Sequence, residues 1–309
     1  MPTERSRTPK PQGTAVNIKR TAIVTTAAAG MLIGLATARA QTPPALGVPL
    51  PASVQEAKSL TVGINCQYPP AGYVGLDGKP MGYEYALVKR IAEYAFGSAS
   101  GLVTQCVNDS NRISFLQSGK VDLVLAALAM SPARAEQIDF SSPIWISNLQ
   151  LVVPVSSSIN GYADLAGKSV VTTTGSLYQA WLQRCHPKAN LLTAQSPTEA
   201  STMLTQGRVD AFGYIDVYAY NFALRNPAYK VVGVLASPAI QGIGVKKGNK
   251  PLLDWIDAVV EQLRQDDAFY RAFADEVKNP VIVAKYRDAV PGPSVKIDYA
   301  GAAEPQCKS

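Results

Sequence analysis

One seven-residue phrase occurs twice in this chain and constrains the fold more than any other feature. It reads L-Q-S-G-K-V-D at 116–122 and L-T-Q-G-R-V-D at 204–210. Each copy follows apolar residues at helical spacing and precedes a short apolar run, so each predicts a helix that ends at its glycine and a buried strand after it. We therefore predict two similar α/β units, although helix–glycine–strand junctions are common enough for seven residues to match by chance.

The two predicted strands indicate where a ligand would bind. Their apolar runs cover 123–128 and 211–215. Ligands of open α/β sheets bind beyond the carboxyl ends of the strands, and two lobes in one chain leave a cleft between them. The functional residues are therefore expected near 126–134 and 213–217.

The N-terminal segment is typical of a secretory signal peptide. Residues 1–20 are basic, 21–37 are apolar and small, and Ala-Arg-Ala at 38–40 offers small residues for cleavage. We predict a signal peptide over 1–40, cleaved after Ala40, with a permanent membrane anchor as the alternative. Export without an anchor predicts a periplasmic protein, with a secreted one as the alternative.

The charge balance argues against nucleic-acid binding. The chain has 29 basic and 23 acidic residues, of which six and one lie in the first 40 residues. The remainder is almost neutral and offers no basic surface for phosphates. Its length is enough for two lobes of ordinary domain size, and a monomer is expected.

The four cysteines, Cys66, Cys106, Cys185 and Cys307, contain no C-x-x-C pair. In an oxidising compartment such cysteines form disulfides more often than zinc sites. Cys66 and Cys106 end the first two predicted strands, so they could bridge neighbouring strands, which leaves Cys185 for Cys307. Four cysteines allow three pairings, and the other two stay open.

The order of the predicted elements divides the chain. The predicted divisions are an extended leader at 41–57, a first lobe at 58–149 with 243–288, a second lobe at 150–242 and a C-terminal tail at 289–309. The chain would cross between the lobes twice, near 149–155 and 239–246. Two crossings form a hinge, which permits closure around a ligand.

Arg134 is the first candidate ligand-binding residue. Ser131 and Pro132 predict a helix start, and an arginine in that first turn opposes the positive end of the helix. A ligand carboxylate would explain it, through a charge-assisted pair. The alternative is a surface arginine paired with Glu136 or Asp139.

The second unit offers complementary groups. Gly175 and Ser176 follow a predicted strand and open a helix, whose free amides at Ser176 and Leu177 could receive the same carboxylate. Asp216 follows the strand 211–215 and could accept an ammonium group. Its alternative role is to cap the helix that begins at Val217.

The small number of histidines argues against several classes of catalytic and metal site. The only histidine, His186, lies in a predicted loop, and no G-x-S-x-G motif accompanies it. A serine hydrolase and a histidine-based metal site are therefore not expected. We predict no catalytic residue, no metal and no cofactor.

Several motifs of the chain form a recognisable set: Y-P-P at 68–70, G-Y-E at 82–84, both copies of the repeated phrase, S-P-A-R at 131–134, D-F-S-S-P at 139–143 and D-L-A-G-K at 164–168. Together they resemble the periplasmic solute-binding proteins of polar amino-acid ABC transporters, the bacterial extracellular solute-binding family 3. The resemblance covers about 60–286, and N-R-I at 111–113 and K-N-P at 278–280 are most similar to the glutamate/aspartate branch.

The resemblance implies a two-lobed α/β periplasmic-binding-protein fold, each lobe a mainly parallel sheet flanked by helices, joined by a two-crossing hinge. It implies that Arg134 and Gly175-Ser176 bind the ligand's α-carboxylate. An aspartate near Asp216 binds the α-ammonium, and Tyr68 covers the ligand.

The chain also departs from the family pattern. Ala129 stands where the family has a hydroxyl residue, Ala127 where it has a glycine, and the family's aspartate stands at Ile215, one position before Asp216. The acidic branch has an arginine near Asn65, which is absent. Asp109 occupies a position that is often aromatic, and either contacts the ligand's side chain or caps the helix near Arg112.

These residues lead to competing hypotheses. The favoured one is a periplasmic binding protein that captures a small zwitterion, a polar amino acid, and delivers it to an inner-membrane ABC permease. A dehydratase of the cyclohexadienyl type on the same fold is the enzymatic alternative, with Asp109 or Asp216 as general acid. A ligand-sensing module is the third. Because the arginine near Asn65 is absent and Asp109 would add a negative charge to the site, neutral polar or basic amino acids are expected to bind better than acidic ones.

Overall fold

The computed structural model describes residues 45–233, 238–297 and 306–307. Two mixed five-stranded sheets flanked by helices dominate it, which confirms the α/β class. The strands are β1 (Leu60–Asn65), β2 (Gln67–Tyr68), β3 (Gly72–Val74), β4 (Pro80–Met81), β5 (Leu102–Val107), β6 (Leu123–Val124), β7 (Ile138–Phe140), β8 (Trp145–Ser147), β9 (Leu149–Pro154), β10 (Ser169–Thr173), β11 (Asn190–Ala194), β12 (Ala211–Ile215), β13 (Tyr229–Val232), β14 (Ala239–Gln241) and β15 (Gly244–Lys246).

The helices cover the faces of these sheets. They are α1 (Ala52–Ala57), α2 (Tyr83–Phe96), α3 (Arg112–Gln117), α4 (Pro132–Ala135), α5 (Leu177–Cys185), α6 (Pro197–Thr205), α7 (Asp216–Arg225), α8 (Lys250–Gln265), α9 (Ala268–Val277) and α10 (Pro280–Lys285). The prediction of an extended leader over 41–57 was wrong in part, because α1 occupies the end of this segment. The helix forms there because it buries the side chain of Val54 against the core.

The two sheets have the same plan. The first has the order β5-β1-β6-β15-β7 and the second the order β11-β10-β12-β9-β13. In each, the first three strands are parallel, and the fourth runs antiparallel to both of its neighbours. The sheets are therefore mixed, with a parallel half in each.

The repeated phrase does the same structural work in both units. Gly119 and Gly207 adopt φ values of 72° and 68° after α3 and α6, the left-handed conformation that ends a helix. The backbone amide of Asp122 then donates to the Thr61 carbonyl, and its carboxylate accepts from the Thr61 amide, both at 2.8 Å. Asp210 makes the same two hydrogen bonds to Ser169, also at 2.8 Å. The phrase thus fixes the central strand of each sheet to its parallel neighbour.

Two short strands carry the chain between the sheets. β8 follows the last strand of the first sheet and leads into β9, and β14 lies between β13 and β15. They pair antiparallel with each other. Trp145 on β8 stacks on Tyr83 at 5.0 Å and contacts Phe273 at 5.2 Å, so aromatic packing surrounds this two-stranded crossing.

The strand predicted over 123–128 is much shorter in the structure. After Val124 the backbone leaves the sheet, and Ala127 has a φ of 50°. The carbonyls of Ala126 and Ala127 accept hydrogen bonds from Arg112, and the amide of Ala127 donates to Glu84. The side chains of Arg112 and Glu84 thus satisfy backbone groups that a neighbouring strand would otherwise bond.

All four cysteines are paired, as the favoured prediction had it. Cys66 bonds Cys106 and Cys185 bonds Cys307. The first disulfide joins β5 to the residue after β1, and the second fixes the end of the chain to α5.

Among the residues described, no helix is both long and apolar enough to cross a membrane.

Candidate functional site

Residues of both sheets meet around a small central cavity. Its volume is about 10 Å³, roughly the space of one water-sized sphere. An amino acid does not fit this conformation, so the sheets must separate to admit one. The cavity is lined by Asp109, Arg112, Ala127 and Ala129 on the first side and by Ser176, Leu177, Tyr178, Tyr214 and Ile215 on the second.

Asp109 joins the two sides of this cavity. Its Oδ2 accepts hydrogen bonds from Thr173 Oγ1 at 2.5 Å and from the Tyr214 hydroxyl at 3.0 Å, and both donors belong to the second sheet. The residue is 7% exposed. The proposal that Asp109 caps the helix near Arg112 was wrong, because its carboxylate bonds across the cleft instead.

Arg112 is a buried residue that the sequence argument did not select. It is 2% exposed, and its Nη1 lies 2.5 Å from Asp109 Oδ1 and 2.6 Å from the carbonyl of Ala126. Its Nε has no hydrogen-bond partner. The available signal was the one used for Arg134, because Arg112 also opens a helix whose positive end opposes it.

Arg134 lies in the cleft and is 8% exposed, so the alternative of a surface ion pair with Glu136 or Asp139 was wrong. Its guanidinium donates to the Ala129 carbonyl at 2.6 Å and, across the cleft, to the Gly175 carbonyl at 2.9 Å. Burial, together with the positive charge of Arg112, lowers its pKa to about 9.

Gly175 allows the two lobes to approach. Its φ is 78°, and a Cβ on it would lie 2.7 Å from the Asp109 carbonyl oxygen. The predicted free amide of Ser176 is not free, since it donates to the Thr173 carbonyl at 3.2 Å. The Ser176 hydroxyl instead caps α5 by accepting from Gln179.

Tyr68 is fully buried between the sheets. Its ring centroid lies 5.4 Å from that of Tyr214 and 5.7 Å from that of Tyr218, both in the second unit. Its hydroxyl has no hydrogen-bond partner. Burial raises its pKa well above the usual range, so it is a neutral donor in the cleft.

Asp216 lies beside the central cavity rather than on it, and Ile215 takes the place on the cavity wall. Its carboxylate accepts from Val217 N at 3.0 Å and from Asn148 Nδ2 at 3.4 Å. Burial raises its pKa to about 6, although the bonds from Asn148 oppose this shift. The capping role predicted for Asp216 was wrong, because α7 begins at Asp216 itself and Ile215 holds its N-cap position. The role of Asp216 toward an ammonium group stays a prediction.

Glu84 supports the wall of the cavity from behind. It is 2% exposed, and its Oε1 accepts from Ala127 N at 2.8 Å while Oε2 has no partner. Burial raises its pKa to about 7, and the Ala127 amide and Arg112 limit the rise. Ala127 and Ala129 contribute methyl groups and carbonyls here, where the family pattern has a glycine and a hydroxyl residue.

Asn65 lines a different cavity, of about 220 Å³, beside the Cys66–Cys106 disulfide. Its Oδ1 accepts from Gln67 N at 2.9 Å. Residues of one turn line both cavities, since Asn108 and Asn111 line this one while Asp109 and Arg112 line the central one. Of the predicted site residues, the central cavity is lined by Asp109, Ala127, Ala129 and Ser176 and the second cavity by Asn65, whereas Tyr68, Arg134, Gly175 and Asp216 line neither of the two.

The buried charges of the cleft are unequally compensated. Asp109 and Arg112 pair with each other, whereas Arg134 and Asp216 have no ion-pair partner among the residues described. Both charges act on the Tyr178 hydroxyl, which lies near them. Burial is the main cause that raises the pKa of Tyr178, the charge of Asp216 raises it further, and the charge of Arg134 lowers it. Among all the residues that the structure describes, no group of three or more His, Cys, Asp or Glu residues could hold a metal ion.

Comparisons with known proteins show the family to which this chain is similar. Residues 60–275 match the model of the bacterial extracellular solute-binding proteins, family 3. The L-cystine-binding protein TcyJ of Escherichia coli is 28% identical over 216 residues, which are 69% of this chain and 80% of TcyJ. The amino-acid-binding protein AabA of Dichelobacter nodosus is 30% identical over 203 residues, 64% of this chain and 79% of AabA.

Solved structures give the same result. The cysteine-binding protein from Campylobacter jejuni superposes with a TM-score of 0.71 at 31% identity, over 73% of this chain and 92% of that protein. The solute receptor for L-cysteine of Neisseria gonorrhoeae also gives 0.71, at 29% identity, over 73% of this chain and 92% of that chain. This chain therefore belongs to the bacterial extracellular solute-binding proteins, family 3.

Proposed function

We propose that this protein is the periplasmic substrate-binding component of an ABC importer and captures a polar amino acid by closure of its two lobes. The two buried charges without an ion-pair partner among the described residues, Arg134 and Asp216, support this most directly. A zwitterionic amino acid carries the opposite pair of charges. A buried charge is costly unless it is paired, so such a ligand stabilises both groups at once.

In this proposal Arg134 binds the α-carboxylate. Its guanidinium is bonded to carbonyl oxygens, which a carboxylate can replace with a stronger charge-assisted pair. Asp216 receives the α-ammonium, since Asp109 is already neutralised by Arg112. Tyr68 covers the ligand from the first sheet.

Closure follows from contacts with both sheets. Asp109 already bonds Thr173 and Tyr214 across the cleft, and Arg134 bonds Gly175. A ligand shifts an open–closed equilibrium only through contacts that differ between the two states. The paired strands β8 and β14 provide the two connections about which the sheets can move.

The relatives define the surrounding system. TcyJ is named as an L-cystine-binding protein, and other relatives bind glutamine or arginine in ABC transporters. We propose that this chain works as a monomer, delivers its amino acid to an inner-membrane permease and loses residues 1–40 on export. The relatives are named as binding proteins, and Asp109, one candidate acid of the dehydratase alternative, is held in an ion pair. Binding for transport is thus the better-supported function.

Isothermal titration calorimetry with single amino acids tests this proposal. Arg134→Ala should weaken binding of the preferred amino acid by about 2–5 kcal/mol, the range for removing one partner of a buried charge pair. Asp216→Asn should also weaken binding. Arg208→Ala and Asp288→Asn, at exposed positions, are the matched controls. Wild-type affinity in Arg134→Ala would exclude it as the carboxylate receptor.

A further inference from the structure

The cavity that contains Asn65 is lined mainly by carboxamide groups. We call it the amide chamber. It has a volume of about 220 Å³, below the roughly 300–1,000 Å³ of sites for drug-sized ligands, so it suits a group of a few atoms. Its carboxamides belong to Asn65, Gln67, Asn108, Asn111 and Gln195.

Hydrogen bonds orient three of these amides as donors. Asn65 Oδ1 accepts from Gln67 N at 2.9 Å, Asn111 Oδ1 accepts from Asn108 N at 2.9 Å, and Asn108 Oδ1 accepts from the amides of Ser110 and Asn111 at 3.1 Å. Their Nδ2 groups have no hydrogen-bond partner among the residues described. Asn65 is only 3% exposed, so its donors are buried and available to the chamber.

The chamber carries no charge of its own. Asp109 and Arg112, the charged residues of the adjoining turn, line the central cavity and pair with each other there. A cationic group would meet amide donors and no carboxylate. A carboxylate would be buried without a cation, which costs more than burying a neutral polar group that is hydrogen-bonded.

The chamber lies within the cleft and depends on closure. Gln195 and Ser196 belong to the second unit, and the other lining residues belong to the first. Next to it, Thr198 Oγ1 donates across the cleft to the Gln67 carbonyl at 3.0 Å. The Cys66–Cys106 disulfide holds the two strand ends of its floor at a Cα–Cα distance of 5.5 Å.

We infer that the amide chamber receives the side chain of the bound amino acid and selects an uncharged side chain that ends in a hydrogen-bond acceptor, of which a carboxamide is the simplest. This inference rests on the proposed function. The acceptor oxygen bonds the Nδ2 groups of Asn65, Asn108 and Asn111. Gln195, whose side chain makes no hydrogen bond to the described residues, supplies an oxygen for the amide NH₂.

Calorimetry with L-glutamine, L-glutamate and L-arginine tests the inference on wild type and Asn65→Asp. The aspartate keeps the acceptor for Gln67 N and replaces the donor by a charged oxygen. Wild type should bind glutamine at least about tenfold more tightly than the two charged amino acids. In Asn65→Asp the affinity for glutamine should fall by about tenfold or more, and arginine should gain relative to it. Asn190→Asp, at an exposed position, is the control.

A second variant guards against a folding defect. Gln195→Glu alters an exposed side chain and should shift the ranking toward arginine in the same direction, with an unchanged circular dichroism spectrum. Amino-acid binding with glutamate or arginine preferred in wild type, or with a ranking that neither variant changes, overturns the chamber and leaves the proposed function intact. Absence of binding to any amino acid overturns both.

Discussion

The buried carboxyl group of Glu84 leads to a prediction about stability and pH. Burial raises the pKa of Glu84 from 4.5 to about 7. The folded protein therefore holds this proton more tightly than the unfolded chain does. The stability from this group is fully present below pH 4.5 and is lost as the pH rises through 7. One pKa unit corresponds to about 1.4 kcal/mol, so the loss amounts to at most about 3 kcal/mol.

Glu84→Gln should remove this pH dependence. Glutamine has nearly the shape of the protonated acid and can still accept from Ala127 N, which lies 2.8 Å from Glu84 Oε1. The variant should match wild type near pH 4.5 and should exceed its free energy of unfolding by up to about 3 kcal/mol at pH 8. Asp216, with its pKa raised to about 6, acts in the same direction but contributes equally to both proteins.

Urea denaturation of both proteins between pH 4.5 and 8 measures the difference directly. Glu136→Gln, which alters an exposed carboxylate, is the control and should follow the wild-type curve. If wild type and Glu84→Gln lost stability in parallel across this range, Glu84 would not be the group that titrates, and the argument from burial would be refuted.

Three further predictions concern strain, closure and the disulfides. Ala126 and Ala127 are both buried, but only Ala127 has a positive φ, of 50°, which glycine adopts without strain. Ala126→Gly should therefore lower the free energy of unfolding by at least about 1 kcal/mol more than Ala127→Gly. Equal losses in urea denaturation would contradict this. Asp109→Asn should weaken the cross-cleft bonds to Thr173 and Tyr214 and expand the ligand-free protein in small-angle scattering, and an unchanged radius would argue against Asp109 as a closing contact. Thiol titration of the denatured, unreduced protein, isolated from an oxidising compartment, should find no free thiol, and two or more would disprove complete pairing.

The structure also changes the basis of the expected ligand preference. From the sequence, Asp109 was expected to be a lone negative charge that would favour basic amino acids. Arg112 lies 2.5 Å from it and neutralises it. The preference for neutral side chains now depends on the amide chamber, and a preference for basic ones has lost its support.

The sequence by itself determined the elements whose causes are local. The repeated phrase predicted a helix end and a strand start in each unit, and β12 has the predicted bounds. This strand is an apolar run bounded by polar residues, so its periodicity suffices. Arg134 was selected as a candidate for a similar reason, since an arginine in the first turn of a helix is unfavourable without another partner.

Only the tertiary structure decided the contacts that join distant segments. The pairing of Asp109 with Arg112, Thr173 and Tyr214, the bonds that draw Ala126 and Ala127 out of the sheet, and the place of Ile215 rather than Asp216 on the cavity wall have no local signature. Each depends on which buried donor meets which acceptor once the two sheets face each other. A buried polar group must find a partner wherever the fold supplies one, and sequence spacing does not specify that partner.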